Sequence, residues 1–103
     1  KIMIHVIASI RVKSGKRDIL IEHLKSNIPN VIKEKGCIEY NSTIDMDFQI
    51  DNQAFDENMV TIIEKWEDFD SLKKHMNAPH MLTYRENVKD LVENTSLKIL
   101  TNI

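Results

Sequence analysis

Residues 2–13 read Ile-Met-Ile-His-Val-Ile-Ala-Ser-Ile-Arg-Val-Lys, and the alternation within them decides the fold. Ile2, Ile4, Val6, Ala8, Ile10 and Val12 share one parity, a period of two that belongs to a strand and not to a helix. Met3, His5, Ile7, Ser9 and Arg11 form the opposite parity. That set is mixed and not wholly polar, so the strand predicts a sheet whose second face is also covered.

Outward from this strand, Ser14 is placed to cap a helix. Leu20, Leu24, Ile28, Val31 and Ile32 recur at three- and four-residue intervals up to about Lys35. Pro29 lies inside that pattern and predicts a kink near Ile28. Gly36 is the natural stop. A second strand is expected from Cys37 to about Phe48, with Ile38, Tyr40, Ile44, Met46 and Phe48 on one face. Residues 49–58 read as a polar connection. Met59 to Trp66 predicts a third strand, with Val60, Ile62, Glu64 and Trp66 together. Asp68 can cap a short helix bearing Phe69, Leu72 and Met76. Pro79 suits the first position of another helix, burying Met81, Tyr84, Val88 and Leu91. A last strand is expected over 96–102. The order βαββαβ, with its second helix broken in two, predicts an α+β, ferredoxin-like fold with a four-stranded antiparallel sheet. Helices cover one face. The open face predicts a homodimer.

Composition excludes several functions. The chain has 103 residues, enough for one domain, and a formal net charge of −2 without any long basic run, so nothing invites nucleic acid or an anionic membrane. No apolar run approaches the roughly 20 residues that span a bilayer, and the strand pattern starts at once, so the expected location is cytoplasmic. Gly15 and Gly36 are the only two glycines, which leaves no P-loop or dinucleotide fingerprint. Cys37 is the single cysteine, which removes paired-thiolate zinc and redox motifs. Asp45, Asp47 and Asp51 have an acidic rhythm, but Ile50 stands where a calcium loop needs glycine. No metal and no cofactor are expected.

Three short motifs follow in order: Gly36-Cys37-Ile38-Glu39-Tyr40, then Glu64-Lys65-Trp66, then His75 with Pro79-His80. In these places the sequence resembles the antibiotic-biosynthesis-monooxygenase superfamily, and within it the small bacterial quinol-monooxygenase branch. The resemblance covers nearly the whole chain as a single domain, 1–103, and implies a dimeric α/β-barrel. The stretch from Gly36 to Glu64 is longer than the pattern, by about one hairpin turn near residues 45–58. A haem-degrading branch of the same fold uses an Asn, Trp and His set. Ser9, His75 and Arg85 stand at the corresponding places and none matches.

The resemblance implies a pocket between sheet and helices lined by Tyr40, Glu64, Trp66, His75, His80 and Tyr84. His80, His75 and Glu64 are the catalytic candidates; Trp66, Tyr40 and Tyr84 are the substrate-binding ones. Each also has a plain structural reading. Large aromatics usually serve cores. A carboxylate on an apolar strand face, such as Glu64, must find a partner. His80, in the first turn of its helix, is expected to stay neutral and act as a base. His75, near the end of the preceding helix, is expected to favour its charged form. His5 and His23 read as surface or interface residues, and Cys37 as an inert small apolar one.

The implied activity is a cofactor-free monooxygenase in which a small aromatic quinol or phenol is its own reductant. Trp66 would stack on the ring and His80 would take the proton. A related branch isomerises a phosphorylated dione and carries Tyr in place of the Trp. A non-catalytic, small-ligand-binding dimer is the third reading, since fold alone does not fix function.

Overall fold

In the computed structural model, which describes residues 2–103, the chain forms β1 (Ile4–Val12), α1 (Arg17–Ile32), β2 (Cys37–Ile44), β3 (Met59–Trp66), α2 (Phe69–Met76), α3 (Pro79–Val88) and β4 (Val92–Thr101). The four strands make one antiparallel sheet in the order β2-β3-β1-β4. This is the ferredoxin-like arrangement.

Register explains the core. Ile4, Val6, Ala8 and Ile10 of β1 stand opposite Trp66, Glu64, Ile62 and Val60 of β3. Directly opposed residues share a sheet face, and all eight are buried. Leu20, Leu24 and Val31 of α1, Leu72 of α2, and Met81, Tyr84 and Val88 of α3 close over that face. β4 lies beyond the helices. Leu97 and Ile99 share the side of Ala8 and Val6, yet both are exposed. Among the described residues, no helix is long and apolar enough to cross a membrane.

Several expectations need correction. Ser14 does not cap α1. Ser14-Gly15 forms a turn with Gly15 at φ +77°, and the cap position is Lys16, without a side-chain bond. Ile32, assigned to the apolar stripe, is exposed. β2 stops at Ile44, because β3 pairs with it only as far as Val60↔Ile44. Met46 and Phe48 therefore belong to the connection. A register shift between Cys37 and Glu39 breaks the parity of β2. It turns Cys37 toward the core and Ile38 out to solvent. α3 ends at Val88, before Leu91, and β4 begins at Val92 instead of residue 96. The Asp68 cap, bonded from Ser71 N–H at 2.9 Å, and Pro79 in the first turn of α3 match the sequence reading.

Candidate active site

The site is built around a glycine. After α1 the chain turns sharply, with Glu34 N–H donating to Val31 O (3.0 Å) and Cys37 N–H to Glu34 O (3.2 Å). Gly36 closes the turn at φ +88°. A Cβ there would lie 2.5 Å from Ser71 Cβ, so only glycine allows this close approach of the turn to α2. Gly36 O also accepts the N–H of Glu67 (2.8 Å). The turn is thereby fastened to the end of β3 and the start of α2, which holds the Glu34 side chain against the two histidines of the following helices.

Glu34 Oε2 meets His75 Nδ1 at 2.7 Å and His80 Nε2 at 3.1 Å. Pro79 starts α3 in a way that points His80 back at α1, where His80 Nδ1 lies 3.1 Å from Asn27 Oδ1. The Asn27 amide also contacts Met81 Sδ and Asn30. Asn27 Oδ1 is an acceptor here; turning the amide over would let its NH2 donate to Nδ1, but would set that NH2 against the Asn30 NH2 and give up the bond to Met81 Sδ. His75 is 3% exposed. Its ring is tilted over Trp66, centroids 4.6 Å apart at 34°, and meets Tyr40 edge-on at 5.7 Å and 64°. Trp66, fully buried, donates its indole N–H to Glu64 Oε1 (2.9 Å). Glu64 Oε1 lies 4.0 Å from His75 Nε2. The result is a polar line from the protein's flank to its core: Asn27, His80, Glu34, His75, Glu64, Trp66.

Only the flank end of this line is open. A groove of about 360 Å³ runs between α1 and α3, lined among others by His23, Asn27, Asn30, His80, Tyr84 and Asn87. Its walls carry amides, imidazoles and hydroxyls and no charged carboxylate.

A family model described as antibiotic biosynthesis monooxygenase matches residues 3–87. The chain belongs to the antibiotic biosynthesis monooxygenase family. It is 33% identical over 100 residues to an Escherichia coli protein described as "Probable quinol monooxygenase YgiN", an alignment covering 95% of this chain and 96% of that protein. Its fold matches solved structures closely. Protein SO0527 from Shewanella oneidensis aligns with a TM-score of 0.84 at 29% identity, over 99% of this chain and 95% of that one. PA3566 from Pseudomonas aeruginosa aligns with a TM-score of 0.84 at 23% identity, over 100% and 96%.

Within this member of the family, four of the six candidate residues come together in the interior: Tyr40, Glu64, Trp66 and His75. They pack on one another, and one face of Trp66 is taken by His75. His80 and Tyr84 border the groove instead. Among the described residues, the Tyr84 hydroxyl is buried without a hydrogen-bond partner. Sequence reasoning missed Glu34, Asn27 and the groove-lining position of His23.

Burial dominates the electrostatics. It pushes the Glu64 carboxyl up to about 7, against the Trp66 hydrogen bond, with the nearby Glu34 adding to the rise. It lowers His75 below the usual imidazole value, and the Glu34 hydrogen bond offsets only part of this. The expectation that a helix end keeps His75 charged is therefore corrected, because desolvation of a nearly sealed ring outweighs the dipole. Burial pushes the Tyr40 phenol far up, with the Glu64 charge adding to it, and pushes Tyr84 up to about 12. Cys37 rises to about 11, so its thiol is a weak nucleophile near neutrality, in keeping with an inert residue.

Proposed function

We propose that this protein is a monooxygenase that oxidises a small quinol or phenol with molecular oxygen, without metal or organic cofactor. The observation that carries the reading is the placement of His80. Of the two clustered histidines it alone lines the groove, with Nδ1 turned to the groove-lining Asn27. Family membership and the likeness to YgiN support the same chemistry. A substrate hydroxyl displaces the Asn27 amide and gives its proton to His80 at Nδ1, in the tautomer that carries hydrogen on Nε2. The electron-rich anion then reacts with oxygen. One oxygen atom enters the ring and the other leaves as water; the quinol supplies all four electrons and departs as a hydroxylated quinone. The protein's work is to bind, orient, accept the proton and exclude water. Trp66, Tyr40 and Tyr84 shape the site, with Trp66 acting through His75 and Glu64. Oxygen uptake over a panel of chemically reduced naphthoquinols, benzoquinols and phenols tests this. Enzyme-dependent uptake of one oxygen per quinol is expected; a panel with no rate above autoxidation contradicts it.

The working unit we propose is a homodimer through the open sheet face. Ile7 stands opposite Ile63 on that face, and Leu100 beside His5 continues it. Ile63 and Leu100 are exposed in the single chain. Light scattering at micromolar concentration should give twice 12.0 kDa; a monomer would remove this part of the reading.

A further inference from the structure

The two histidines of the cluster share one acceptor, and that acceptor lies outside every motif by which the site is recognised. Glu34 comes from a turn and not from a strand or helix, and its side chain is 15% exposed. A carboxylate oxygen only accepts, so a hydrogen bond to it requires the hydrogen on the imidazole nitrogen. His75 must then carry its hydrogen on Nδ1, and His80 on Nε2. In the neutral rings the bare nitrogens then lie on the opposite sides: Nε2 of His75 faces Glu64, and Nδ1 of His80 faces the groove-lining Asn27, whose Oδ1 must give way to a substrate hydroxyl before that nitrogen is used. One oxygen thus sets two tautomers in opposite senses, one toward the interior and one toward the ligand.

We propose that Glu34 is the positioning residue of the site, fixing the tautomers of both histidines so that His80 presents a bare Nδ1 once a substrate hydroxyl displaces Asn27 Oδ1. The inference deepens the monooxygenase reading and rests on it for the word substrate; the tautomers themselves do not depend on that reading. When His80 accepts a proton at Nδ1, both its nitrogens carry hydrogen, and the carboxylate against Nε2 stabilises the imidazolium at hydrogen-bond distance. No proton needs to pass to Glu34. Gly36 belongs to the same device, because its contact with Ser71 holds the turn at the depth where one carboxylate reaches both rings.

His75 reports on this arrangement. It is faced by Glu34 from the α1–β2 turn, Tyr40 from β2, Glu64 from β3, and His80 and Arg85 from α3. Glu34 raises the His75 imidazole both by its hydrogen bond and by its charge, and it raises Glu64 as well. Removing the charge at 34 should shift both titrations downward, which a merely space-filling side chain would not do.

The experiment is long-range nitrogen–proton NMR of the imidazoles in the unmodified protein, above pH 7, followed by Glu34→Gln and Glu34→Asp. The inference expects hydrogen on Nδ1 of His75 and on Nε2 of His80. The opposite tautomer on either ring overturns it, whether or not a substrate is known and whether or not the variants fold. In Glu34→Gln the His75 titration should move to lower pH, and Glu34→Asp should restore part of the shift. With a quinol that the wild type turns over, Glu34→Gln should lower kcat by roughly ten- to a hundredfold with little change in KM. Correct tautomers in a protein that oxidises no quinol would sink the monooxygenase reading and leave the positioning role standing. Unchanged kcat and an unmoved His75 titration in Glu34→Gln would overturn the positioning role itself.

Discussion

The two ends of the sheet break the usual rule of burial in opposite ways. At the end where α1 turns into β2 and β3 runs into α2, charged and polar groups are inside: Glu64 is 5% exposed and His75 3%. At the other end, in the 45–58 connection, apolar groups are outside: Met46 is 71% exposed and Phe48 66%, with Ile50 and Phe55 also exposed. The polar side chains of that connection serve its own backbone. Asp45 accepts from Asp56 N–H, Gln53 Oε1 accepts from Phe48 N–H, and Asp47 accepts from Gln49 N–H. Arg11 pairs with Asp56 and ties the loop to β1. Gln49 even holds a left-handed conformation, φ 59°. The contrast separates two uses of polarity. In the loop it satisfies a backbone that has no strand partner. In the site it is buried at a cost in stability, which the hydrogen bonds among Glu34, His75, Glu64 and Trp66 offset in part.

The largest expected effect falls at the site end. Gly36→Ala must leave a left-handed turn or push back Ser71, and should destabilise the fold by on the order of 3 kcal/mol. Urea unfolding checks this. A loss below about 1 kcal/mol would mean that the turn is not fastened to α2 as described.

Next comes Glu64. Its carboxyl is raised from 4.5 to about 7 in the folded chain, so the fold prefers its protonated form. That preference contributes fully below about pH 4.5 and is lost as pH rises through about 7. Glu64→Gln keeps an acceptor for the Trp66 indole and removes the charge. It should stabilise the protein by on the order of 2–3 kcal/mol at pH 8 and by almost nothing at pH 4. His75 has the opposite sign. Its lowered folded-state value means that stability falls as pH drops below about 6.5, so a His75→Gln variant should lose that acid limb. Thermal melting from pH 4 to 9 reads both.

Tyr84→Phe removes a buried hydroxyl that has no partner among the described residues. The change should be neutral or stabilising, by up to about 1 kcal/mol. The smallest effects belong to the far loop. Phe48→Ser and Ile50→Ser should shift monomer stability by less than about 0.5 kcal/mol, because these side chains bury little. A large loss from either would show that the loop is packed and would erase the contrast.

Much of the fold could be read from sequence because its signals are local. The alternation of 2–13, Gly36 after a helical stripe, the Asp68 cap and Pro79 each depend on a few neighbouring residues. The errors occur where a partner strand decides. β2 loses its parity to an irregular pairing at Cys37–Glu39, and its length is cut by where β3 begins. β4 starts early because Val92 pairs with Val12, although Val92 to Thr95 carries no strong apolar alternation. At the site, Glu64, Trp66, His75 and His80 stood out because each is an unusual residue for its place. Glu34 lies between Lys33 and Lys35 and reads as one charge of a solvated helix end. The available signal was its distance from Gly36: a glycine forced by contact brings its neighbours into contact too. Which candidates face solvent was not legible, since the α1–α3 groove depends on how two helices diverge.

The central claim is that His80 is the proton acceptor of an oxygen-consuming reaction on a quinol or phenol. The most direct measurement is oxygen uptake by His80→Gln beside the wild type on a substrate the wild type oxidises, with matched melting temperatures for the two proteins. Turnover should fall by on the order of a hundredfold while substrate affinity changes little. A folded His80→Gln protein with wild-type turnover would contradict the claim and reduce His80 to a residue of the α1–α3 contact.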